Sequence, residues 1–426
     1  MHGLHGWFRN PVVWRAARFN VYTISLAALW TPLGTVLLQQ RVSDLTSPGS
    51  RDSALGVITF AGITVAAITQ PIAWRLSDQA PFPDRRRPFI LAGTALDLVF
   101  LALFWWAPGF FWLFGAYLLL QLSSNLAQAA FQALIPDLMR PEERGMASGV
   151  KNGYDLLGSV VGLAGVGVLL GAGLGAEGAL LFIGALLAVG AFLSVWWVPP
   201  VPPLPSDARS EMTRRPMSPW TLLEAFRLDV RRHSRFALTM TSRFLFLLGM
   251  YPAQRFLLYF LELRYSLAQT GVVALFLLGL VLLGAVAAVA SGVLSDRFGR
   301  LGSLRMGVVL GAAGLVGVAF TPSLQLLLIP GALLAVGVGT FQAVSWALLA
   351  DLIPRGQEAR FYGLSNLATA GASAFAGLFG PLISWLAGLG AADPYQVAFL
   401  VAATVALGGL APLQWFQPDR RDPAAS

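Results

Sequence analysis

A charged turn between two long apolar segments reads Gly292-Val293-Leu294-Ser295-Asp296-Arg297-Phe298-Gly299-Arg300. A related turn lies in the first half, where residues 70–78 end in Ser-Asp and the arginine-rich residues 84–90 follow. In each copy an apolar segment ends in Ser-Asp, an arginine-containing turn follows, and another apolar segment begins. The occurrence of this unit once in each half predicts a membrane protein built from two related halves, as alternating-access transporters are.

The composition is that of an integral membrane protein. Of the 426 residues, 56% are hydrophobic and only 12% are charged, whereas soluble domains carry about 25% charged residues. Segments of roughly 20 apolar residues cross a bilayer. The sequence predicts twelve such spans, at 19–38, 55–76, 89–107, 111–135, 146–171, 179–198, 236–261, 271–294, 305–321, 325–350, 361–389 and 396–416.

The twelve spans predict an all-α integral membrane fold of two six-helix pseudo-symmetric bundles. The N-terminal bundle is expected over residues 1–198 and the C-terminal bundle over residues 236–426. Residues 199–235, which are rich in Pro, Arg and Ser, are expected to form a cytoplasmic linker between them.

The net charge of +8 follows a membrane topology and does not indicate a nucleic-acid surface. With the N-terminus inside, 23 basic residues lie on the inner side and only Arg41, Arg51 and Arg264 lie on the outer side. This asymmetry is the positive-inside pattern. It predicts a multi-pass protein of the cytoplasmic membrane, embedded in the lipid bilayer, with both termini and the linker in the cytoplasm.

The two halves also match around the fourth and tenth spans. Gln128-Ala129 precedes Asp137-Leu138 at the same spacing at which Gln342-Ala343 precedes Asp351-Leu352. In each half the aspartate is followed by a glutamate and then an arginine. The chain therefore resembles the major facilitator superfamily, whose signature turn after the second and eighth spans is Gly-x-x-x-Asp-Arg-x-Gly-Arg. The resemblance implies the major facilitator fold.

The second copy of the turn fits that signature, whereas the first departs from it, with Trp74 in place of Gly and Gln79 in place of Arg. The first copy resembles the sucrose:proton symporters and the related glycoside-pentoside-hexuronide:cation symporters, in which Gln-Pro-Ile precedes Ser-Asp and the turn ends Arg-Arg-Arg-Pro-Phe-Ile. The fourth span resembles the sucrose-transporter pattern Asn-x-x-Gln-x-x-x-Arg-Ala-Leu-x-x-Asp-Leu, with Gln132 in place of its Arg. This resemblance implies transport of a sugar or glycoside.

Amide side chains form a stripe on the fourth span. Gln121, Asn125, Gln128 and Gln132 follow a spacing that places them on one helix face. Amides are costly against lipid, so this face should meet protein or a water-filled cavity. Uncharged donors and acceptors suit a neutral polyhydroxylated solute, and hydrogen bonding between helices is the alternative. The candidate solute-binding residues are Asn125, Gln128 and Gln132, with their mirror positions Gln342 and Trp346.

Charged residues inside spans indicate candidate coupling sites. Asp155 lies four residues after Lys151, the only lysine, so the two can pair on one helix face. Asp97 lies near the middle of the third span. An acid that loses its cation in one conformation can exchange a proton, whereas a permanent ion pair or a packing hydrogen bond is the structural alternative. The sodium-coupled glycoside symporters place acids in the second and fourth spans. The absence of an acid from residues 55–76 disfavours a sodium site and leaves proton coupling or uncoupled passage.

The charged turns are candidate gates. Asp78 and Asp296 lie at helix C-termini, where the helix dipole disfavours an anion. A cation from the turn, or Arg144 or Arg360, is therefore expected beside each. A static turn is the alternative, and the resemblance favours a gate. The candidate gating residues are Asp78, Arg85, Arg86, Asp137, Arg144, Asp296, Arg297, Arg300, Asp351 and Arg360.

Three functions remain open at this point. The first is a secondary active transporter that moves a small neutral solute, a sugar or glycoside, by alternating access with proton coupling. The second is efflux of drugs or metabolites by the same fold, for which Trp30, Trp346 and Phe341 offer aromatic surface. The third is a membrane enzyme or sensor, which the absence of Cys, of membrane His and of a nucleotide-phosphate loop disfavours. We expect a monomeric non-enzyme without a cofactor or metal.

Overall fold

A computed structural model describes residues 10–207, 228–267, 269–354 and 358–416, apart from the side chains of 141, 145, 298, 358–360 and 362. These residues form helices and connecting turns and contain no β-strand. Eleven helical stretches among them are long and apolar enough to span a membrane, and a bent helix pair makes twelve when it is counted as one span. The predicted all-α fold with twelve membrane helices is thereby confirmed.

Contacts divide the chain into two compact units, which are described separately. The first unit consists of the described residues within 10–207 and 255–279. Its helices are α1 (Pro11–Pro32), α2 (Leu38–Leu45), α3 (Arg51–Gln79), α4 (Arg87–Trp105), α5 (Phe110–Gln132), α6 (Leu134–Leu138), α7 (Arg144–Gly171) and α8 (Gly175–Trp197).

The second unit consists of the described residues within 228–254 and 280–416. The later helices of the chain are α9 (Ser234–Arg255), α10 (Leu257–Tyr265), α11 (Thr270–Phe298), α12 (Arg300–Phe320), α13 (Leu328–Leu352), α14 (Glu358–Phe375), α15 (Phe379–Gly388), α16 (Pro394–Gly408) and α17 (Leu410–Gln414). Helix α10 and the start of α11 belong to the first unit.

Local chemistry explains where the first helix begins and how far it continues. Asn10 caps α1 because its side-chain oxygen accepts from the backbone N–H of Val12 at 2.9 Å, and Pro11 occupies the first helical position. A π-helical turn over Leu33–Leu37 then joins α1 to α2. The continuous span Pro11–Leu45 is therefore longer than the predicted segment 19–38.

The predicted span 236–261 is a bent pair. Helices α9 and α10 meet at an angle of 53°. Pro252 lies in the last turn of α9, and the break follows at Phe256, whose φ of −107° and ψ of 11° depart from helical values. Beyond the break, the N–H of Leu258 donates to the side-chain oxygen of Gln39 at 3.1 Å. Residues 255–279 thereby pack in the first unit, whereas the sequence analysis assigned them to the C-terminal half.

Glycines allow helices to approach closely within each unit. In the first unit, a Cβ on Gly158 of α7 would lie 2.3 Å from the carbonyl oxygen of Ile24 of α1. In the second unit, a Cβ on Gly337 of α13 would lie 2.2 Å from the backbone nitrogen of Gly311 of α12. At the signature turn, Gly299 has a φ of +90°, a conformation that favours glycine. The motif glycine therefore shapes the link between α11 and α12.

Candidate functional site

The amide stripe of the first unit divides into two parts. Gln121 donates to the hydroxyl of Tyr117 at 3.1 Å, and Asn125 donates to the backbone oxygen of Gln121 at 2.8 Å. Both side chains are buried. Gln128 and Gln132, further along α5, are half-buried and make no hydrogen bond within the described residues. Of the three predicted solute-binding residues of this helix, Gln128 and Gln132 have amides without a partner among the described residues, whereas the side-chain NH2 of Asn125 donates within the helix.

The second unit presents a corresponding group on α13. Gln342, Ser345 and Trp346 share one helix face. The side-chain oxygen Oε1 of Gln342 is buried and accepts no hydrogen bond within the described residues. The ring of Trp346 lies 4.4 Å from the guanidinium carbon of Arg243, which α9 brings to this face. The sequence predicts that Gln342 and Trp346 lie on one face, and it gives no sign of the arginine beside them.

The membrane acids have different surroundings. Lys151 donates to Asp155 at 2.9 Å within α7, and 46% of the Asp155 side chain is exposed. Asp97 of α4 is fully buried and accepts from the hydroxyl of Ser123 of α5 at 2.5 Å. In the described part of the chain, Asp97 has no lysine or arginine nitrogen within 4 Å. The predicted ion pair is present in the structure, and Asp97 is held by a packing hydrogen bond.

The arginine-rich turn of the first unit is a buried ion network. Arg86, of which 1% is exposed, donates to Asp78 at 2.5 Å and to Asp137 at 2.8 Å. Arg85 donates to the other oxygen of Asp137 at 2.7 Å. The backbone N–H of Arg85 also donates to the carbonyl of Val201 at 2.9 Å, which attaches the turn to the segment after α8. A cation from the turn thus neutralises the acid at the C-terminus of α3.

The turn of the second unit repeats this arrangement closer to solvent. Arg300 lies 2.8 Å from Asp351 and 3.5 Å from Asp296. The side chains of Asp296 and Asp351 are 66% and 52% exposed, against 18% and 14% for Asp78 and Asp137. Exposed ion pairs contribute little to stability, so the pairs of the second unit are far less costly to separate.

The remaining gating candidates lie apart from these networks. Arg144 donates to the backbone carbonyls of Pro136 and Met139, at 3.0 and 3.4 Å, and not to a turn aspartate. Arg297 is exposed and forms no ion pair with any described residue. Arg360 lies in α14, but its side chain is outside the described part of the structure.

Residues of α2, α3 and α10 form a polar cluster, which joins segments that are far apart in the chain. The sequence does not reveal it. The hydroxyl of Tyr259 donates to the backbone oxygen of Gln39 at 2.5 Å. Arg51 pairs with Glu262 at 2.8 Å, and its guanidinium carbon lies 4.5 Å from the ring of Tyr259. The contacts depend on the break between α9 and α10. The polar residues flanking that break are the only signal in the sequence.

The aromatic residues considered for a drug-binding surface pack within their own units. The indole N–H of Trp30 donates to Ser124 at 2.8 Å, and its ring contacts Tyr117 edge-on at 6.2 Å. Phe341 is fully buried and stacks on Phe246 with ring centroids 4.0 Å apart. These contacts leave no specific observation in favour of the efflux alternative.

Comparison with known proteins agrees with this architecture. Residues 46–410 match the family model described as MFS/sugar transport protein. The fold is similar to the nucleoside transporter NupG in a mutant form, with a TM-score of 0.72 and 13% identity over 94% of this chain and 100% of that one. A bacterial homologue of the human lysosomal transporter Spinster, in an inward-facing and occupied conformation, has a TM-score of 0.72 and 14% identity over 93% and 95% of the two chains.

The human organic anion transporter MFSD10 (TETRAN) has a TM-score of 0.63 and 18% identity over 95% of this chain and 100% of that one. No curated protein matches the sequence. The identities to the solved structures are low enough that the likeness establishes the fold alone. The matching family and the three similar structures are all of transporters.

Proposed function

The chain belongs to the family of MFS/sugar transport proteins and is a multi-pass secondary transporter, and from this premise we propose that it carries a hydroxyl-rich solute, a sugar or glycoside, in symport with protons. The solute crosses by alternating access. Gln128 and Gln132 in the first unit, and Gln342 and Trp346 in the second, are the proposed solute-binding residues.

One observation carries the proposal. Gln128 and Gln132 project two amides from a membrane helix without a hydrogen bond to any described residue. An amide against hydrocarbon is costly, so each requires water or a solute as its partner. Amides both donate and accept, which matches sugar hydroxyls.

The experiment is exchange transport by the full-length protein in liposomes. Liposomes preloaded with an unlabelled sugar are diluted into the radiolabelled sugar, for a panel of mono- and disaccharides and glycosides. We expect transient accumulation of the label for at least one member. Uptake rates equal to those of protein-free liposomes for every sugar of the panel would contradict the proposal of sugar transport.

The proposed substrate contact predicts different outcomes for two glutamines of the same helix. Gln128→Ala should weaken sugar binding by about 1–3 kcal/mol, because it leaves a polar group of the bound solute without its partner. Its melting temperature should change little. Gln121→Ala is the matched control, and it should lower the melting temperature because it removes the bond to Tyr117. Titration of both purified variants with sugar checks this, and equal affinities in wild type and Gln128→Ala would leave only a packing role.

We propose that the protein lies in the cytoplasmic membrane. Both termini and the 199–235 linker then lie in the cytoplasm. An alkaline phosphatase reporter, which is active only outside, should be inactive when it is inserted at residue 210 or fused to the C-terminus. The same reporter inserted after residue 174, between α7 and α8, should be active. The reverse pattern would contradict the orientation that the arginine distribution predicts.

The half-exposed turn of the second unit is the better candidate for a gate. Asp296→Asn should slow exchange several-fold and change sugar affinity by less than about twofold, because it removes an interaction that contributes to one conformation only. Glu177→Gln, which changes another exposed acid, is the control and should behave as wild type. Rates and affinities measured on the same preparations separate the two effects. Normal turnover of Asp296→Asn would reduce this turn to a topology anchor.

A further inference from the structure

Arg243 is a buried arginine inside a membrane-spanning helix. It lies in the middle of α9, and only 1% of its surface is exposed. Transferring a guanidinium into such a site costs several kcal/mol unless its charge is compensated. The groups in contact with Arg243 must therefore compensate its charge at least in part.

Within the described part of the chain, the contacts of Arg243 are with uncharged groups. Its Nε donates to the hydroxyl of Thr369 on α14 at 3.1 Å, and its Nη1 donates to the hydroxyl of Ser345 on α13 at 2.5 Å. The ring of Trp346 lies 4.4 Å from the guanidinium carbon. Among the described residues, no carboxylate oxygen lies within 4 Å of its nitrogens. Hydroxyls and an aromatic ring offset part of the cost of burial, and they carry no negative charge.

The guanidinium also retains donors for a ligand. Arginine has five N–H groups in a planar fork, and Nη2 of Arg243 makes no hydrogen bond with any described residue. One helical turn away, Oε1 of Gln342 is buried without a donor. Among the described residues, the second unit thus places a cation without a carboxylate partner and an acceptor without a donor beside the same face of α13.

We propose that Arg243, with Trp346 and Gln342, is an anion subsite, and that the transported sugar-like solute carries one acidic group, a carboxylate or a phosphate ester. The acidic group accepts from Arg243, and a neighbouring hydroxyl donates to Gln342. The amide stripe by itself indicates a neutral solute, and the environment of Arg243 changes that expectation. The inference rests on the proposed sugar transport and specifies the class of sugar.

The competing explanation is that Arg243 only holds α9, α13 and α14 together through Ser345 and Thr369. The two explanations differ in one measurable respect. A packing role makes Arg243 important for stability whatever solute is present. An anion subsite makes acidic sugars bind better than their neutral counterparts, by an amount that depends on Arg243.

The test compares glucose, glucuronate and glucose 6-phosphate as ligands of the purified full-length protein. The sodium salts are used and ionic strength is matched with sodium chloride. We expect at least one acidic sugar to bind wild type about tenfold or more tightly than glucose, as a charge-assisted bidentate contact should provide. Arg243→Gln should lose that preference, so that its affinities for glucose and for the acidic sugars lie within about twofold of each other. The two acidic sugars distinguish a carboxylate site from a phosphate site.

Two further variants keep the test decisive if Arg243→Gln does not fold. Arg243→Lys keeps the charge without the planar fork and should retain only part of the preference. Arg305→Gln changes another arginine of the second unit, one that donates to the backbone of Leu413, and should retain all of it. No preference in wild type, or a preference that survives in Arg243→Gln, would overturn the anion subsite. Glucose exchange without any acidic preference would overturn the subsite alone, and absence of exchange for every sugar would overturn the proposed function.

Discussion

Arg86→Ala is expected to lose most of the folded protein. Arg86 is the partner of two carboxylates, Asp78 and Asp137, in a site from which water is largely excluded. Its removal leaves both acids beside each other without their common cation. Breaking a buried ion pair by removing one partner costs about 3–5 kcal/mol, which is a large part of the stability of a typical domain. The melting temperature of the detergent-purified variant and its recovered yield are the measurements.

Arg140→Ala is the matched control for this effect. Arg140 lies close by in sequence, is exposed, and makes no side-chain ion pair with a described residue. Its replacement should change stability by less than about 0.5 kcal/mol, as at most exposed positions. Equal stability of Arg86→Ala and Arg140→Ala would show that the buried network contributes nothing to the stability of the fold. The turn of the first unit would then be a candidate gate again.

Asp155→Asn is expected to abolish accumulation of the solute against its gradient while it spares exchange at equilibrium. Asp155 pairs with Lys151 at 2.9 Å, and we propose that this pair separates during the transport cycle. Protonation of Asp155 changes the interaction between the two side chains, and this is the differential interaction that coupling requires. The measurement is uptake into liposomes with an inward proton gradient, beside exchange without a gradient, on the same preparation.

Asp97→Asn is the control variant, and Asp97 is the alternative proton site. Asp97 is buried and bonded to Ser123, so its replacement by an amide should leave accumulation near the wild-type level. Loss of accumulation in Asp97→Asn alone would place the proton site in α4. Loss of exchange and of folded protein in Asp155→Asn would instead make the Lys151–Asp155 contact a structural ion pair.

The sequence predicted the fold because the bilayer imposes strong constraints on composition. Twelve apolar segments and the arginine-rich turns are visible without any tertiary information, since a membrane span must be long and apolar whatever it packs against. The first helix continues beyond the predicted span 19–38, because Asn10 caps it early and a π-helical turn after Pro32 carries it on. Length and hydropathy do not detect either feature.

The candidate site was only partly predictable for a different reason. Helical spacing placed Gln121, Asn125, Gln128 and Gln132 on one face, and spacing cannot say which of them already has a partner. The position of Arg243 against Trp346 depends on how α9 packs on α13, and a single sequence does not determine that packing. The burial of the first turn and the exposure of the second could not be predicted either, because they depend on which segments pack against each turn.

The central claim is that this chain is a proton-coupled transporter of a sugar-like solute. The most direct measurement is uptake of radiolabelled sugars, neutral and acidic, by liposomes containing the wild-type protein, with and without an inward proton gradient. The account predicts that at least one sugar accumulates above its external concentration only with the gradient, and that a protonophore releases it. Two results would contradict it. One is that every sugar enters no faster than into protein-free liposomes, and the other is that accumulation is the same with and without the proton gradient.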